Sequence, residues 1–118
     1  MFKILDQTRN ELVALKIEGQ IKREDYDKLD ALLRKTEKEN AHVDMYIEIN
    51  DIEGITAEAM WADIKTYFKN AKDYRKVAVI GNDGFSEKAA KTANPFVKAE
   101  IKYFSGDQKS TAMEWAHA

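Results

Sequence analysis

The residues of this chain with most scope for chemistry gather at two turns. Around the first, Asp51, Glu53 and Glu58 bring carboxylates close together in sequence, and clustered carboxylates can exchange protons or hold a hard cation. Their spacing matches no calcium-binding loop, so a solvated turn is the favoured reading. At the second, Gly81-Asn82-Asp83-Gly84 follows a short apolar run and precedes a helical one, a position suited to anions. It has neither the Gly-x-Gly-x-x-Gly order nor a Gly-Lys-Ser/Thr ending, which argues against a nucleotide. His42 and His117 share no ligand spacing, so no metal centre is expected. The chain has no cysteine, which removes thiolate ligands, thiol nucleophiles and disulfides together. Ser86 reads as a helix cap rather than a nucleophile. No catalytic residue and no cofactor is expected, and the chain reads as a binding protein rather than an enzyme.

The elements that hold these turns follow from hydrophobic periodicity. Phe2 to Asp6 and Glu11 to Glu18 are β-rich runs joined by the polar connector Gln7-Thr8-Arg9-Asn10, of hairpin length. In the second run Val13, Leu15 and Ile17 share one face and Leu12 and Ala14 the other, which predicts a central strand covered on both sides. From about Lys22 to Asn40, Tyr26, Leu29, Leu32 and Leu33 form one helical stripe, enough to cover a sheet face. A strand then runs from Val43 to Ile49. A helix from Thr56 to about Asp73 follows, carrying Met60, Trp61, Ile64, Tyr67, Phe68 and Ala71, and each large side chain is worth ~1.5–3 kcal/mol when fully buried. Lys76 to Gly81 is a continuous apolar strand of the kind found within parallel sheets. Ser86 begins a helix that must end near Asn94-Pro95. Val97, Ala99, Ile101 and Tyr103 alternate with Lys98, Glu100 and Lys102 in a last strand, half exposed and near an edge. Asp107 is expected to cap a terminal helix containing Ala112, Met113, Trp115 and Ala116. The order is ββαβαβαβα. It predicts an α/β fold, one mixed sheet of about five strands with about four helices packed on it, in a single domain over residues 1–118.

Composition narrows the function classes. Lys and Arg number 19 against 21 Asp and Glu, a net charge of -2, so no broad basic field for nucleic acid is expected. The opening Met-Phe-Lys-Ile-Leu-Asp lacks the apolar core of a signal peptide. No window reaches the ~18 apolar residues of a membrane span. A cytoplasmic protein is expected.

Three patterns on this frame resemble the SpoIIAA-like family, also described as STAS/SEC14-like. The first is Ile17-Glu18-Gly19-Gln20-Ile21-Lys22-Arg23-Glu24-Asp25-Tyr26, similar to the family's strand, glycine and helix entry. The second is the strand to Asp51 followed by Gly54 and the helix of Trp61, and the third is Ala112 with Trp115 in the closing helix. The resemblance implies protein interaction or ligand sensing rather than catalysis. In the sporulation anti-sigma antagonists a phosphorylatable serine begins the helix after the third strand, within Asp-Ser-Ser-Gly. Here Thr56, Ala57, Glu58 and Ala59 take those places, with no hydroxyl at Ala57 and an added charge at Glu58, so the phosphorylation switch is not expected. Thr56 reads as an N-cap.

The SEC14 side of the resemblance implies an apolar ligand held between sheet and movable helices, as in CRAL-TRIO-type domains. The helix from Ser86 to Asn94 has only Ala89, Ala90 and Ala93 as its apolar face, so it is weakly held. The expected ligand site is Met60, Trp61, Ile64, Phe68, Phe85 and Phe96. Phe85, Lys88, Lys91, Phe96 and Lys98 would touch a membrane or a partner. The plainer alternative is two core phenylalanines and a solvated lysine face. Trp61 and Trp115 both fit core anchors, and Trp61 is the better ligand platform of the two. The sequence therefore points to a non-enzymatic domain for an apolar small molecule or lipid, with peripheral membrane contact. The alternative is a regulatory protein-interaction module lacking the usual phosphoserine. A homodimer is an expectation of either reading.

Overall fold

The structure, a computed structural model, describes residues 1–52, 59, 74–81 and 100–117. Five strands form one sheet in the order β1-β2-β3-β4-β5: β1 Phe2–Ile4, β2 Leu12–Gly19, β3 Val43–Ile52, β4 Tyr74–Gly81 and β5 Glu100–Ser105. β1 pairs antiparallel with β2, whereas β2 through β5 run parallel. The mixed sheet, the inner position of β2, the parallel setting of β4 and the edge position of β5 all agree with the sequence expectations. Among the described residues there are two α-helices, α1 Arg23–Glu39 and α2 Lys109–His117. The helices expected over Thr56 to Asp73 and Ser86 to Asn94 fall outside the described residues, save for Ala59, which is helical and exposed.

The return from β1 to β2 closes between Arg9 and Leu12, each donating its N–H to the other's carbonyl at 2.9 and 3.0 Å. Asn10 adopts φ 52° there, a left-handed conformation that asparagine tolerates better than most residues. Beyond β2, Gly19 has φ +65° with nothing within 4 Å of where a Cβ would sit. Glycine is required at that point by the backbone, not by crowding. The chain then enters α1, where the Asp25 carboxylate accepts the Lys22 N–H at 2.8 Å and the Phe2 N–H at 3.3 Å. One side chain thus satisfies a free donor at the helix start and ties β1 to it. Burial disfavours the charged form of Asp25, yet the Lys22 and Phe2 amides, with nearby Lys28, outweigh it and hold the carboxyl below its ordinary value.

Two cores lie on opposite faces of the sheet. Under α1, Val13, Leu15, Ile17, Val43, Met45, Ile47, Ile49, Val77 and Val79 meet Leu29 and Leu33, all buried, and the Phe2 and Tyr26 rings stack edge to face at 5.1 Å. Under α2, Leu12, Ala14, Tyr46, Ala78, Ile80 and Phe104 meet Ala112 and Ala116. Met113 and Trp115 are only partly buried at this second contact.

The cap of the last element differs from the expectation at Asp107. A 3-10 turn, Gly106–Gln108, separates β5 from α2, so helical backbone begins two residues earlier and Ser105 takes the cap. The Ser105 N–H donates to Gln108 Oε1 at 3.0 Å, and its hydroxyl bonds to the Asp107 carboxylate. Asp107 supports the cap instead of forming it.

Candidate functional site

The site grows from the alternation of β3. Its odd positions, Val43, Met45, Ile47 and Ile49, are fully buried aliphatic side chains facing α1. Successive residues of a strand point to opposite faces, so Asp44, Tyr46 and Glu48 all turn toward the α2 side. Each is buried, at 1%, 3% and 8% exposure. Two carboxylates and a phenol inside a central strand are costly unless paired, and each finds partners in a different way.

Asp44 is gripped by a fork: Arg75 Nε donates at 3.0 Å to Oδ1 and Nη2 at 2.8 Å to Oδ2, while the Lys76 N–H adds a bond of 3.2 Å. This bidentate pairing is the strong geometry for a guanidinium and a carboxylate. The hydrogen bonds to Asp44 raise the Arg75 pKa above its ordinary value. His42 Nε2 lies 3.5 Å from Asp44 Oδ2, and Glu11 joins them so that one ligand atom from each lies within 4.8 Å of the others. Sequence spacing did not reveal this trio, because Glu11 comes from the turn just ahead of the neighbouring strand, where Leu12 pairs with Asp44. Arg75 already stands where a cation would neutralise Asp44. The cluster reads as an ion-pair network rather than a metal centre.

Glu48 is different. The Tyr46 hydroxyl donates to its carboxylate, and burial, the Glu48 charge and this bond together push the Tyr46 pKa upward. Lys109, the first residue of α2, brings Nζ to 2.9 Å from Glu48 Oε1. The contact is an ion pair that falls short of a hydrogen bond, for Oε1 accepts none from any described residue. Lys109 itself is half exposed, at 51% of its side chain, whereas Glu48 is nine-tenths buried.

These groups floor an open groove of about 680 Å³ between β3 and α2. Tyr46 and Glu48 form its base and Lys109, Ser110 and Met113 one side, with Gln7, Glu114 and His117 completing the rim. The second apolar concavity, under α1 at Phe2, Leu15 and Leu29, holds only about 20 Å³, roughly room for one water. At the far edge of the α2 face, the Trp115 ring sits 6.1 Å from that of Phe104. The Lys76 and Lys102 ammonium groups lie 5.3 and 5.2 Å from its centre.

A SpoIIAA-like family model matches residues 12–117. The chain belongs to the SpoIIAA-like family. No curated protein matches it. Among solved structures it is similar to an uncharacterized protein of the DUF3478 family from Shewanella loihica PV-4, described as having a SpoIIAA-like fold. The identity is 28% and the TM-score 0.69, over 98% of this chain and 93% of the other. The SpoIIAA-like architecture expected from the helix entry at Gly19 to Tyr26 and from the closing Ala112 and Trp115 is thereby established, as is a general STAS-type module.

The site residues expected from sequence stand differently. Met60, Trp61, Ile64, Phe68, Phe85 and Phe96 lie outside the described residues, as do Lys88, Lys91 and Lys98. So do the side chains of Asp51, Glu53 and Glu58, and the turn residues Asn82, Asp83 and Gly84. Of the residues weighed for metal binding, His117 borders the groove and His42 joins the Asp44 network, well separated along β3. Trp115 is a partial anchor, half buried against Phe104. The groove residues Tyr46, Glu48 and Lys109 went unread in the sequence, although one signal was present: a glutamate set between Ile47 and Ile49 of a central strand. Among the described residues, no helix is long and apolar enough to cross a membrane.

Proposed function

We propose that this chain is a non-enzymatic STAS-like binding domain that takes up a small molecule. The observation that supports the reading is the groove between β3 and α2. It has the volume of a ligand site and lies on the sheet face that aliphatic side chains leave unsealed. An apolar or lipid ligand held by Met60, Trp61, Ile64, Phe68, Phe85 and Phe96 remains part of the proposal, with Lys88, Lys91 and Lys98 meeting a membrane surface. The segments bearing those residues leave β3 at Ile52 and β4 at Gly81, the carboxyl ends of parallel strands, where α/β folds commonly place ligands. Native mass spectrometry and lipid extraction of gently purified protein, with liposome co-sedimentation, test this. Bound lipid supports it; a clean unliganded mass with no sedimentation overturns the apolar-ligand reading.

A second reading, a regulatory protein-interaction module without a phosphoserine switch, draws on Trp115. A half-buried tryptophan flanked by Lys76 and Lys102 has the composition of an interface anchor. Under this reading a partner recovered in stoichiometric amount is lost on Trp115→Ala while lipid uptake is unchanged. Size-exclusion chromatography with light scattering tests whether that partner is a second copy of the chain.

A further inference from the structure

The groove has a chemical preference written into its floor. Glu48 Oε1 is a buried acceptor that no described residue hydrogen-bonds, and leaving such an atom unmatched is costly. The group nearest to it is the ammonium of Lys109 at 2.9 Å, on a side chain half exposed at the very start of α2. A lysine ammonium thus already rests, imperfectly, at the mouth of a buried carboxylate. Its position shows which kind of group the carboxylate attracts, and its exposure allows it to swing into water. The formal charge of the groove agrees: among the described residues that line it, Glu48 and Glu114 bring two carboxylates and Lys109 one ammonium, so displacing Lys109 leaves the pocket more anionic still. The Tyr46 ring and the Met113 side chain supply an apolar wall beside the acceptor, suited to the hydrocarbon part of a ligand.

We infer that this groove binds a small organic amine in its protonated form, the ligand ammonium replacing that of Lys109 at Glu48 while its hydrocarbon body lies along Tyr46 and Met113. The inference rests on the proposed binding function and names the ligand class of that site. Tyr46 acts as a positioning residue, its hydroxyl fixing the Glu48 carboxylate through the bond they share. Lys109 acts as a built-in competitor. A site for an uncharged or acidic ligand would depend on Lys109 in the opposite sense, since there the ammonium would remain as a donor to the ligand.

The test is a titration of the full-length chain with benzylamine at neutral pH, followed by amide chemical shifts, with benzyl alcohol as the uncharged probe of equal shape. The expected result is saturable shifts at Tyr46, Glu48 and Met113 with benzylamine and none with the alcohol. Lys109→Gln should bind benzylamine at least about 5-fold more tightly, because the internal competitor is gone, and Glu48→Gln should lose at least about 10-fold, in line with the removal of a charge-assisted partner. Equal binding of benzyl alcohol overturns the inference, as does weaker benzylamine binding by Lys109→Gln, or silence of both wild type and Lys109→Gln. Should Glu48→Gln fail to fold, Lys109→Gln decides alone, since its side chain is half exposed and outside the core. If the amine is silent while native mass spectrometry finds another small molecule bound, the amine inference fails and the binding function stands. If both are negative, both fail.

Discussion

The two faces of the sheet are built from the same strands and do opposite things. Along β3 the side toward α1 is Val43, Met45, Ile47 and Ile49, each fully buried and packed against Leu29 and Leu33. The side toward α2 is Asp44, Tyr46 and Glu48, met by the small Ala112 and Ala116. Branched aliphatic chains on both partners interlock at the density of an organic crystal, and the void beside Phe2, Leu15 and Leu29 is about 20 Å³. Alanines bring α2 close along one line but fill little space beside it, and the groove opens where they stop. The lesson is a division of labour. Among the described residues the larger apolar core lies on the α1 face, while the α2 face carries buried polar groups that a stability-driven design would avoid.

The strongest way to break that comparison is to truncate each face in turn. Ile47→Ala should cost about 2–5 kcal/mol in urea unfolding, the range for large-to-small changes in a sealed core. Met113→Ala, on the partly buried side of α2, should cost clearly less and leave unfolding cooperative. Equal losses would mean that the α2 face carries as much packing energy as the other, and the division of labour would be wrong.

Next in size is the Asp44 network, where the polar face does contribute to stability. Removing Asp44 deletes a buried carboxylate that accepts three hydrogen bonds, while its exposed partner Arg75 stays solvated, at a cost of about 1.5–3 kcal/mol. Asp44→Ala should therefore destabilise the fold more than Glu48→Gln, which keeps a hydrogen-bonding side chain beside Tyr46 and Lys109. If Glu48→Gln proved the more damaging of the two, Glu48 would have to be a structural group like Asp44 rather than a binding one.

How much of this was legible beforehand depended on the distance between cause and effect along the chain. The alternation of Val13, Leu15 and Ile17 with Leu12 and Ala14 is a property of one strand, and it correctly placed β2 inside the sheet. The stripe of Leu29 and Leu33 likewise placed α1 over one face. Gly19 to Tyr26 was recognisable as a family pattern, and two of its residues now have physical reasons: the positive φ of Gly19 and the double amide bond of Asp25. The groove was not legible, because it joins Gln7, Tyr46 and Lys109, which no local period connects. Asp44 and Glu48 could have been flagged as polar residues inside an apolar strand, but their partners Arg75 and Lys109 come from other elements. The aromatic residues that the sequence favours for a ligand, Trp61, Phe85 and Phe96, lie outside the described residues. The cap was misplaced from Ser105 to Asp107 because a 3-10 turn leaves no periodic signature of its own.

A smaller effect is expected at Gly19, at the junction of β2 with the entry to α1. Its φ of +65° is a conformation that costs an L-residue about 1–2 kcal/mol, while the open space around its Cα adds no clash. Gly19→Ala should lower stability by about that amount in urea unfolding, and Gly19→Asn by less, since asparagine enters the left-handed region more readily. Equal costs would point to a contact, not the backbone angle, as the reason for glycine.

The last expectation is silent at neutral pH and sharpens the comparison at its extremes. Asp25 belongs to the α1 side, and its folded pKa lies below the ordinary value of 3.8. Its contribution is fully present above about that pH and is lost as pH falls through the lower, folded value, since the unfolded chain takes up the proton first. Tyr46 belongs to the α2 side, and its folded pKa is raised above 10.0. Above that pH the unfolded chain releases the phenolic proton while the folded one keeps it, so this contribution is complete below pH 10 and declines as pH rises further. The two faces should therefore weaken at opposite ends of the pH scale. Measured as urea midpoints, the difference between wild type and Asp25→Asn should shrink on acidification below about pH 4, and that between wild type and Tyr46→Phe should change only in alkali. Ultraviolet titration at the phenolate band, wild type against Tyr46→Phe, gives the independent check, because the transition that Tyr46→Phe removes should lie above the ordinary phenol value or appear only on unfolding. If that transition lay at the ordinary phenol value, the Tyr46 hydroxyl would not be donating to a buried Glu48 carboxylate, and the floor of the groove would lose the anion on which amine binding depends.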